Sequence, residues 1–266
     1  MIFLPSNQKG LSLVELLIAM ALGLLLTAGA LQMMLASQNI YQTTDTLSRI
    51  QENGRFALNF LTKDIRMAGH NTTEDISANG KVFWDGACDA SNPCTVNGAG
   101  NASDQIGVLM DPSNDRDCQG NNVGENQVIV NVYSIADLDG DLVNSLYCHS
   151  FDLSTNDWVL NSQPQPLVDG VENMQILYGI SDPVQNNTII SYVSADAVTN
   201  WANIGAARVS LLVNNGQPTG SGDSTIRTFE LLDAGQIAFN DKHSRQAFST
   251  TITINNIIYQ SQDSNQ

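Results

Sequence analysis

The chain has 266 residues, 42% hydrophobic and 14% charged, which is apolar enough to fold and below the ~25% charge of an average domain. Its 11 Lys and Arg face 27 Asp and Glu, a net charge of −16. Five of the basic residues (Lys9, Arg49, Arg55, Lys63, Arg66) and four of the acidic ones (Glu15, Asp45, Glu52, Asp64) precede residue 71, leaving 6 basic against 23 acidic beyond it; such a surface repels phosphate backbones and anionic headgroups, which argues against nucleic-acid binding there.

The N-terminus carries the strongest signal. Leu16 to Leu31 has no charged side chain, and Thr27 is its only hydroxyl. Extended to Leu11–Leu35, the run holds a single ionisable group, Glu15. As a helix it reaches about 37 Å, more than the ~30 Å hydrocarbon core of a bilayer. The run is long for a secretory signal and has no A-x-A site at its end. A carboxylate inside an apolar run is costly in lipid and is normally kept only with a partner.

The stretch Lys9-Gly10-Leu11-Ser12-Leu13-Val14-Glu15-Leu16-Leu17-Ile18 resembles the processing site of type IV prepilins and related pseudopilins. The resemblance implies a cut after Gly10 by a prepilin peptidase, a new and methylated N-terminus at Leu11, and retention of the apolar helix. It gives Glu15 the task of neutralising a neighbouring subunit's α-ammonium, which sets register in a low-dielectric filament core. The family most often has Phe where this chain has Leu11. The helix-kinking proline of many major pilins is missing, so Gly23 and Gly29 are the places where the helix can loosen.

Beyond the apolar run, Ile40, Leu47, Ile50, Ala57, Leu61 and Ile65 predict one continuing helical face, ending near Gly69 as a C-cap. Residues 71–102 are rich in Asn, Gly, Ser and Thr and read as a long surface loop. Strands are predicted at Gln105–Met110, Gln127–Ile135, Ser145–Asp152, Val171–Ile180, Arg208–Asn214 and Gln246–Ile258, with a short helix over Ala195–Asn203. Turn signals separate them at Asp139-Gly140, Asn215-Gly216, Pro218 and Gly220-Ser221-Gly222. The tail 260–266 is polar. A long helix followed by strands gives an α+β fold, with an antiparallel β-sheet packed on the helix's second half. The organisation is a leader (1–10), a transmembrane or filament-core helix (11–35), its amphipathic continuation (36–69), a β-rich globular domain (70–259) and the tail.

Cys88, Cys94, Cys118 and Cys148 all lie in the part read as exported, which favours two disulfides, with three pairings open. Zinc is the lesser reading, because no C-x-x-C is present and only His149 adjoins a cysteine. Asp137, Asp139 and Asp141 surround Gly140 and are weak calcium candidates; a tight turn accounts for Asp-Gly equally well. Asp111, Asp115 and Asp117 read as a solvated loop. For catalysis there is little: His70, His149 and His243 are dispersed, and no nucleophile, zinc-protease or phosphate-loop motif occurs. Trp84, Trp158 and Trp201 read as core or rim aromatics.

Several further segments are similar to PilW-type minor pilins: Gln51-Glu52-Asn53-Gly54-Arg55-Phe56-Ala57-Leu58, Asp64-Ile65-Arg66-Met67-Ala68-Gly69, Asp117-Cys118-Gln119-Gly120, Leu146-Tyr147-Cys148, Val171-Glu172-Asn173-Met174-Gln175, Arg208-Val209-Ser210-Leu211-Leu212 and Phe248-Ser249-Thr250-Thr251. The resemblance is dense over the first 70 residues and scattered beyond. It implies the pilin architecture and the pairing Cys118–Cys148, which leaves Cys88–Cys94. It further implies a cofactor-free, non-enzymatic minor pilin. Such a subunit waits in the inner membrane with its domain in the periplasm, then enters an extracellular filament near the tip. Implied partners are other minor pilins, the major pilin, the prepilin peptidase, the inner-membrane assembly platform and a large tip adhesin; implied processes are pilus assembly, adhesion and twitching motility. A J-type pseudopilin of a type II secretion system shares this plan. A monomeric, membrane-tethered periplasmic binding protein is the alternative of another class.

Overall fold

Helix α1 runs unbroken from Leu13 to Met67. The structure, a computed structural model, describes residues 10, 12–69, 81–88, 92–110, 116–124, 127–140, 142–159, 163–182, 188–216 and 226–255. The chain divides into two compact units between Asp45 and Thr46.

In the first unit, every residue from Leu13 to Leu35 is exposed except the half-buried Gly29. By length and composition this helix is able to cross a membrane. The hydroxyls in this unit turn inward: Thr27 donates to the Gly23 carbonyl, Thr43 to Asn39 and Thr44 to Ile40, each four residues back. Bonding within the helix spares these polar groups any need for water.

The second unit begins on the same helix. Thr46, Ile50, Gly54, Ala57, Leu61 and Ile65 form its buried face, with steps of four or three residues. Ile40 and Leu47 do not belong to that face: they are 67% and 44% exposed, and Leu47 sits one position off the buried line set by Thr46. Gly54 is where the sheet comes closest. A Cβ there would run into the Phe248 ring, so the glycine makes room for an aromatic side chain against the helix backbone. The helix ends as Gly69 takes a left-handed φ of 70° and donates its N–H to the Leu109 carbonyl at 3.0 Å.

Among the described residues eleven strands follow: β1 (Ile106–Met110), β2 (Ile129–Ala136), β3 (Ser145–Asp152), β4 (Asp157–Trp158), β5 (Gln165–Asp169), β6 (Val171–Asp182), β7 (Thr188–Val193), β8 (Ile204–Val213), β9 (Arg227–Leu231), β10 (Gly235–Phe239) and β11 (Gln246–Thr253). All pairings are antiparallel. One sheet has the order β1-β2-β3, with β4 and β5 both on the far side of β3; the other has the order β11-β8-β6-β7; β9 and β10 form a hairpin. The fold is α+β, with the second half of α1 packed on both sheets. One core joins Ile50, Leu61 and Ile65 of the helix to Tyr133 and Leu146 of the first sheet and Ile176 and Leu211 of the second.

Two further expectations change. Residues 81–88 and 92–102 are not a surface loop, for Val82, Phe83, Cys88 and Cys94 are buried. This segment lies along the edge of β1, with the Trp84 N–H on the Gly107 carbonyl at 2.9 Å and the Leu109 N–H on the Val82 carbonyl at 3.0 Å. The helix predicted over Ala195–Asn203 is two short 3-10 turns, Ala195–Ala197 and Trp201–Asn203, with Trp201 buried edge-on against Tyr178.

The Gly54–Phe248 contact makes a stability prediction. Gly54→Leu should lower thermal stability by about 1–3 kcal/mol, because overpacking outweighs the roughly 1 kcal/mol that glycine costs a helix. Phe248→Ala in the same background should recover part of the loss. A double-mutant cycle in detergent that showed no coupling would refute the close approach.

Candidate functional site

The N-terminal site is built on a helix start. The Ser12 hydroxyl accepts the Glu15 N–H at 3.2 Å, and the Ser12 carbonyl accepts the Leu16 N–H at 3.1 Å, so Ser12 is the N-cap of α1. Glu15 falls in the first turn, where a negative charge faces the positive end of the helix dipole. Gly10 is exposed and precedes the helix; Leu11 lies outside the described residues. The Ser-x-x-Glu spacing of Ser12-Leu13-Val14-Glu15, that of a capping box, is the signal that could have found this cap.

In the globular unit, Cys88 is bonded to Cys94 and Cys118 to Cys148, with Cα separations of 5.1 and 6.3 Å. The second bridge fastens a turn to β3 beside a buried polar chain. The Cys118 N–H donates to Asn131 Oδ1 at 3.2 Å, and Asn131 Nδ2 donates to Asp64 Oδ2 of the helix at 2.8 Å. The Tyr133 hydroxyl donates to the same carboxylate. Burial pushes the Asp64 carboxyl above its ordinary value, against the opposing pull of the Tyr133 and Asn131 hydrogen bonds and of Lys63. Asp117, read above as solvated, is buried, and its carboxylate accepts the Gln119 and Asn121 N–H groups at 2.9 and 2.8 Å. Asp111 and Asp115 lie outside the described residues.

Of the calcium candidates, Asp137 and Asp139 are among the described residues. Asp137 commits both oxygens to its own turn, accepting from the Gly140 N–H at 2.8 Å and the Leu142 N–H at 3.1 Å. Asp139 is exposed, and Asp141 lies outside the described residues. Among the described residues no three His, Cys, Asp or Glu side chains converge as a metal-binding group. His149 stacks on Trp158 with centroids 3.7 Å apart, His243 lies beside Asp241, and His70 is outside the described residues. A groove of about 610 Å³ runs between the helix and β5, lined by Arg49, Glu52, Phe56 and Phe60 on one side and Leu167 and Asp169 on the other.

Residues 5–31 match the prokaryotic N-terminal methylation motif, and residues 132–256 match the family described as type IV pilus-assembly protein W. Its second half is thus similar to PilW-type pilus-assembly proteins, and its N-terminus to type IV prepilins. No curated protein matches the chain. Among solved structures, a type IV-like pilin from Thermus thermophilus, TTHA1219, is similar over 79% of this chain and 99% of its own, at 12% identity and a TM-score of 0.43. Pilin-family proteins are structural, cofactor-free subunits, and prepilin processing with pilin partners is the context this family implies.

One group in the globular unit went unread in the sequence. Asp104, 3% exposed, accepts the Gly98 N–H at 2.8 Å and the Ile176 N–H at 2.7 Å, while its own N–H bonds the Met174 carbonyl at 2.8 Å. It stands in for a strand along the first half of β6 and sutures one sheet to the other. Burial, aided by Asp233 and Asp196, pushes its carboxyl up to about 6 against those two N–H bonds. A carboxyl raised above its ordinary 3.8 holds a proton in the folded chain that the unfolded chain has released. Its contribution to stability is therefore full below its ordinary value, lost as pH rises through about 6, and flat beyond. Thermal unfolding followed from pH 4 to pH 7.5 should show that fall. Asp104→Asn should flatten it while lowering overall stability, since one N–H loses its acceptor; an unchanged slope would refute the assignment.

Proposed function

We propose that the chain is a minor pilin of a type IV pilus, cut after Gly10 by a prepilin peptidase and methylated at Leu11. The observation that carries this reading is the matched methylation motif joined to an apolar helix, Leu13–Leu35, whose surface lies open. In the inner membrane lipid covers that surface; in a filament the helices of other pilins do. Glu15, held in the first turn, is the group that compensates a neighbour's α-ammonium. Residues 1–10 are the leader, 11–35 the membrane and filament segment, 36–69 its continuation, 70–259 the periplasmic and then extracellular domain, and 260–266 the tail.

The disulfide-bonded domain makes the contacts with other minor pilins and the major pilin, and the groove beside Phe56 and Phe60 is one surface open to them. Its role is to prime assembly in a tip complex, with a large adhesin as a further partner, and so to support adhesion and twitching motility. It carries out no catalysis.

Two measurements test this. Mass spectrometry of the mature protein, from a host that supplies the peptidase, should find an N-terminus at Leu11 with one added methyl. Glu15→Ala should insert normally yet leave several-fold fewer pili, since an uncompensated buried charge costs about 3–5 kcal/mol. An N-terminus at Met1, or normal piliation and twitching in the variant, would contradict the reading. Loss of protein secretion instead of twitching would assign the chain to a type II secretion system.

A further inference from the structure

The groove between α1 and β5 has two different banks. On the helix bank Phe56 and Phe60 lie one turn apart, 43% and 42% exposed, with Glu52 one turn before them. Leu167 and Asp169 line the strand bank. The volume of about 610 Å³ lies within the range of pockets that bury a ligand's side chains or rings. Covering two half-exposed aromatic rings is favourable, so this surface gains from contact.

Charge narrows what fits. The charged residues of the lining are Arg49, Glu52 and Asp169, two carboxylates against one guanidinium. Asp169 accepts the Ser145 hydroxyl at 3.1 Å, and among the described residues neither Asp169 nor Glu52 forms an ion pair. Beyond residue 70 the chain carries 23 acidic groups against 6 basic, so the surrounding field also favours a cation. The strand bank, in contrast, offers little backbone to pair with. Pro166 has no N–H, and the Asn53 side chain takes the Asp169 carbonyl at 2.9 Å.

We propose that this groove docks an amphipathic helix of a different protein, one that carries a Lys or Arg on its apolar face. The proposal rests on the reading of the groove as a surface open to other subunits, and gives that surface a partner chemistry. A helix satisfies its own backbone groups and binds through side chains three or four positions apart, the spacing that Phe56 and Phe60 present. An extended segment would need a free strand edge, which Pro166 and Asn53 deny it. A second copy of this chain is excluded by charge, because it brings a net −16 to an already acidic domain. The apolar residues of the docked helix pack on the two rings and Leu167, and its cation lies toward Glu52 and Asp169.

The test uses the full chain in non-ionic detergent micelles, with empty micelles as background, and follows a fluorescently labelled peptide by anisotropy. The probe is a short Ala-rich helical peptide with two Leu four positions apart and a Lys on the same face. Two control peptides replace the Lys by Glu or place Pro between the two Leu. The Lys peptide should bind, the Glu peptide about tenfold more weakly, and the Pro peptide not at all. Glu52→Gln with Asp169→Asn should weaken the Lys peptide about tenfold. Asp157→Asn with Glu230→Gln removes the same charge at exposed positions outside the groove and should leave binding unchanged. Phe56→Ala with Phe60→Ala should abolish it. No binding of the Lys peptide, or binding that survives loss of both rings, overturns the groove as the site. Equal binding of the Lys and Glu peptides, or equal losses from the two carboxylate pairs, overturns the place given to the cation. Equal binding of the Pro peptide overturns the helix. If the peptide-free particle loses mass when both rings are removed, the occupant is a second copy and the proposal falls in that form. Each of these results can go against the docked helix while the chain is still cut at Gly10 and pili are still made, so the two readings fail separately.

Discussion

The globular unit depends on one apolar helix face. Ile50, Ala57, Leu61 and Ile65 are fully buried, and both sheets pack on this stripe to share one core. Each buried Leu or Ile contributes about 1.5–3 kcal/mol, so the stripe outweighs the roughly 1 kcal/mol that Gly54 costs the helix. The cost has a structural return. Without a side chain at Gly54, Phe248 of β11 reaches the helix backbone, and the second sheet can close on α1 at the strand farthest from β7.

What could be read in the sequence was what is local. The motif from Lys9 to Ile18 carries its meaning in adjacent residues. β2, β3, β6, β8 and β11 are long and turn-bounded, and their predicted limits lie within a few residues of the observed ones. β4 has two residues, and β5 contains Pro166 and exposed polar groups, so neither has a period to detect. β9 and β10 bury little beyond Leu231 and Ile237. β7 does carry a strand composition, but its apolar run is short and half exposed. The segment around Val82 and Cys94 was hidden for a different reason. Its Asn- and Gly-rich composition describes its turns, while its burial comes from packing on the first sheet.

The buried polar groups lay furthest from sequence reasoning, because their chemistry is made by residues far away in the chain. Asp64 meets Tyr133 across 69 positions, and Asp104 meets Ile176 across 72. Arg245 follows the same rule. Its side chain is 3% exposed, pairs with Glu172 and Asp241, and lies 3.8 Å over the Phe239 ring. The guanidinium holds the Asp241 carboxyl well below its usual range. Buried ion pairs of this kind add little net stability, since desolvation offsets attraction, but they punish any other arrangement. Here the pair fixes the approach to β11 against the start of β6. One of the few basic residues is therefore spent on geometry rather than on surface charge.

The same shortage of cations bears on how such a unit associates. A domain with 23 acidic and 6 basic residues beyond position 70 cannot approach its own kind cheaply, and each close contact has to be neutral or locally reversed in sign. The surfaces that meet this condition are few. The exposed side chains from Leu16 to Leu35 are uncharged, and the groove at Phe56 and Phe60 has Arg49 and Glu52 within it. On the proposed reading as a minor pilin, the acidic remainder keeps the domain soluble and discourages pairing between like copies. Uncharged and mixed surfaces then set which neighbours are accepted. On that reading, a subunit built this way favours a mixed complex over a filament of itself, because the repulsion acts against every copy of this chain.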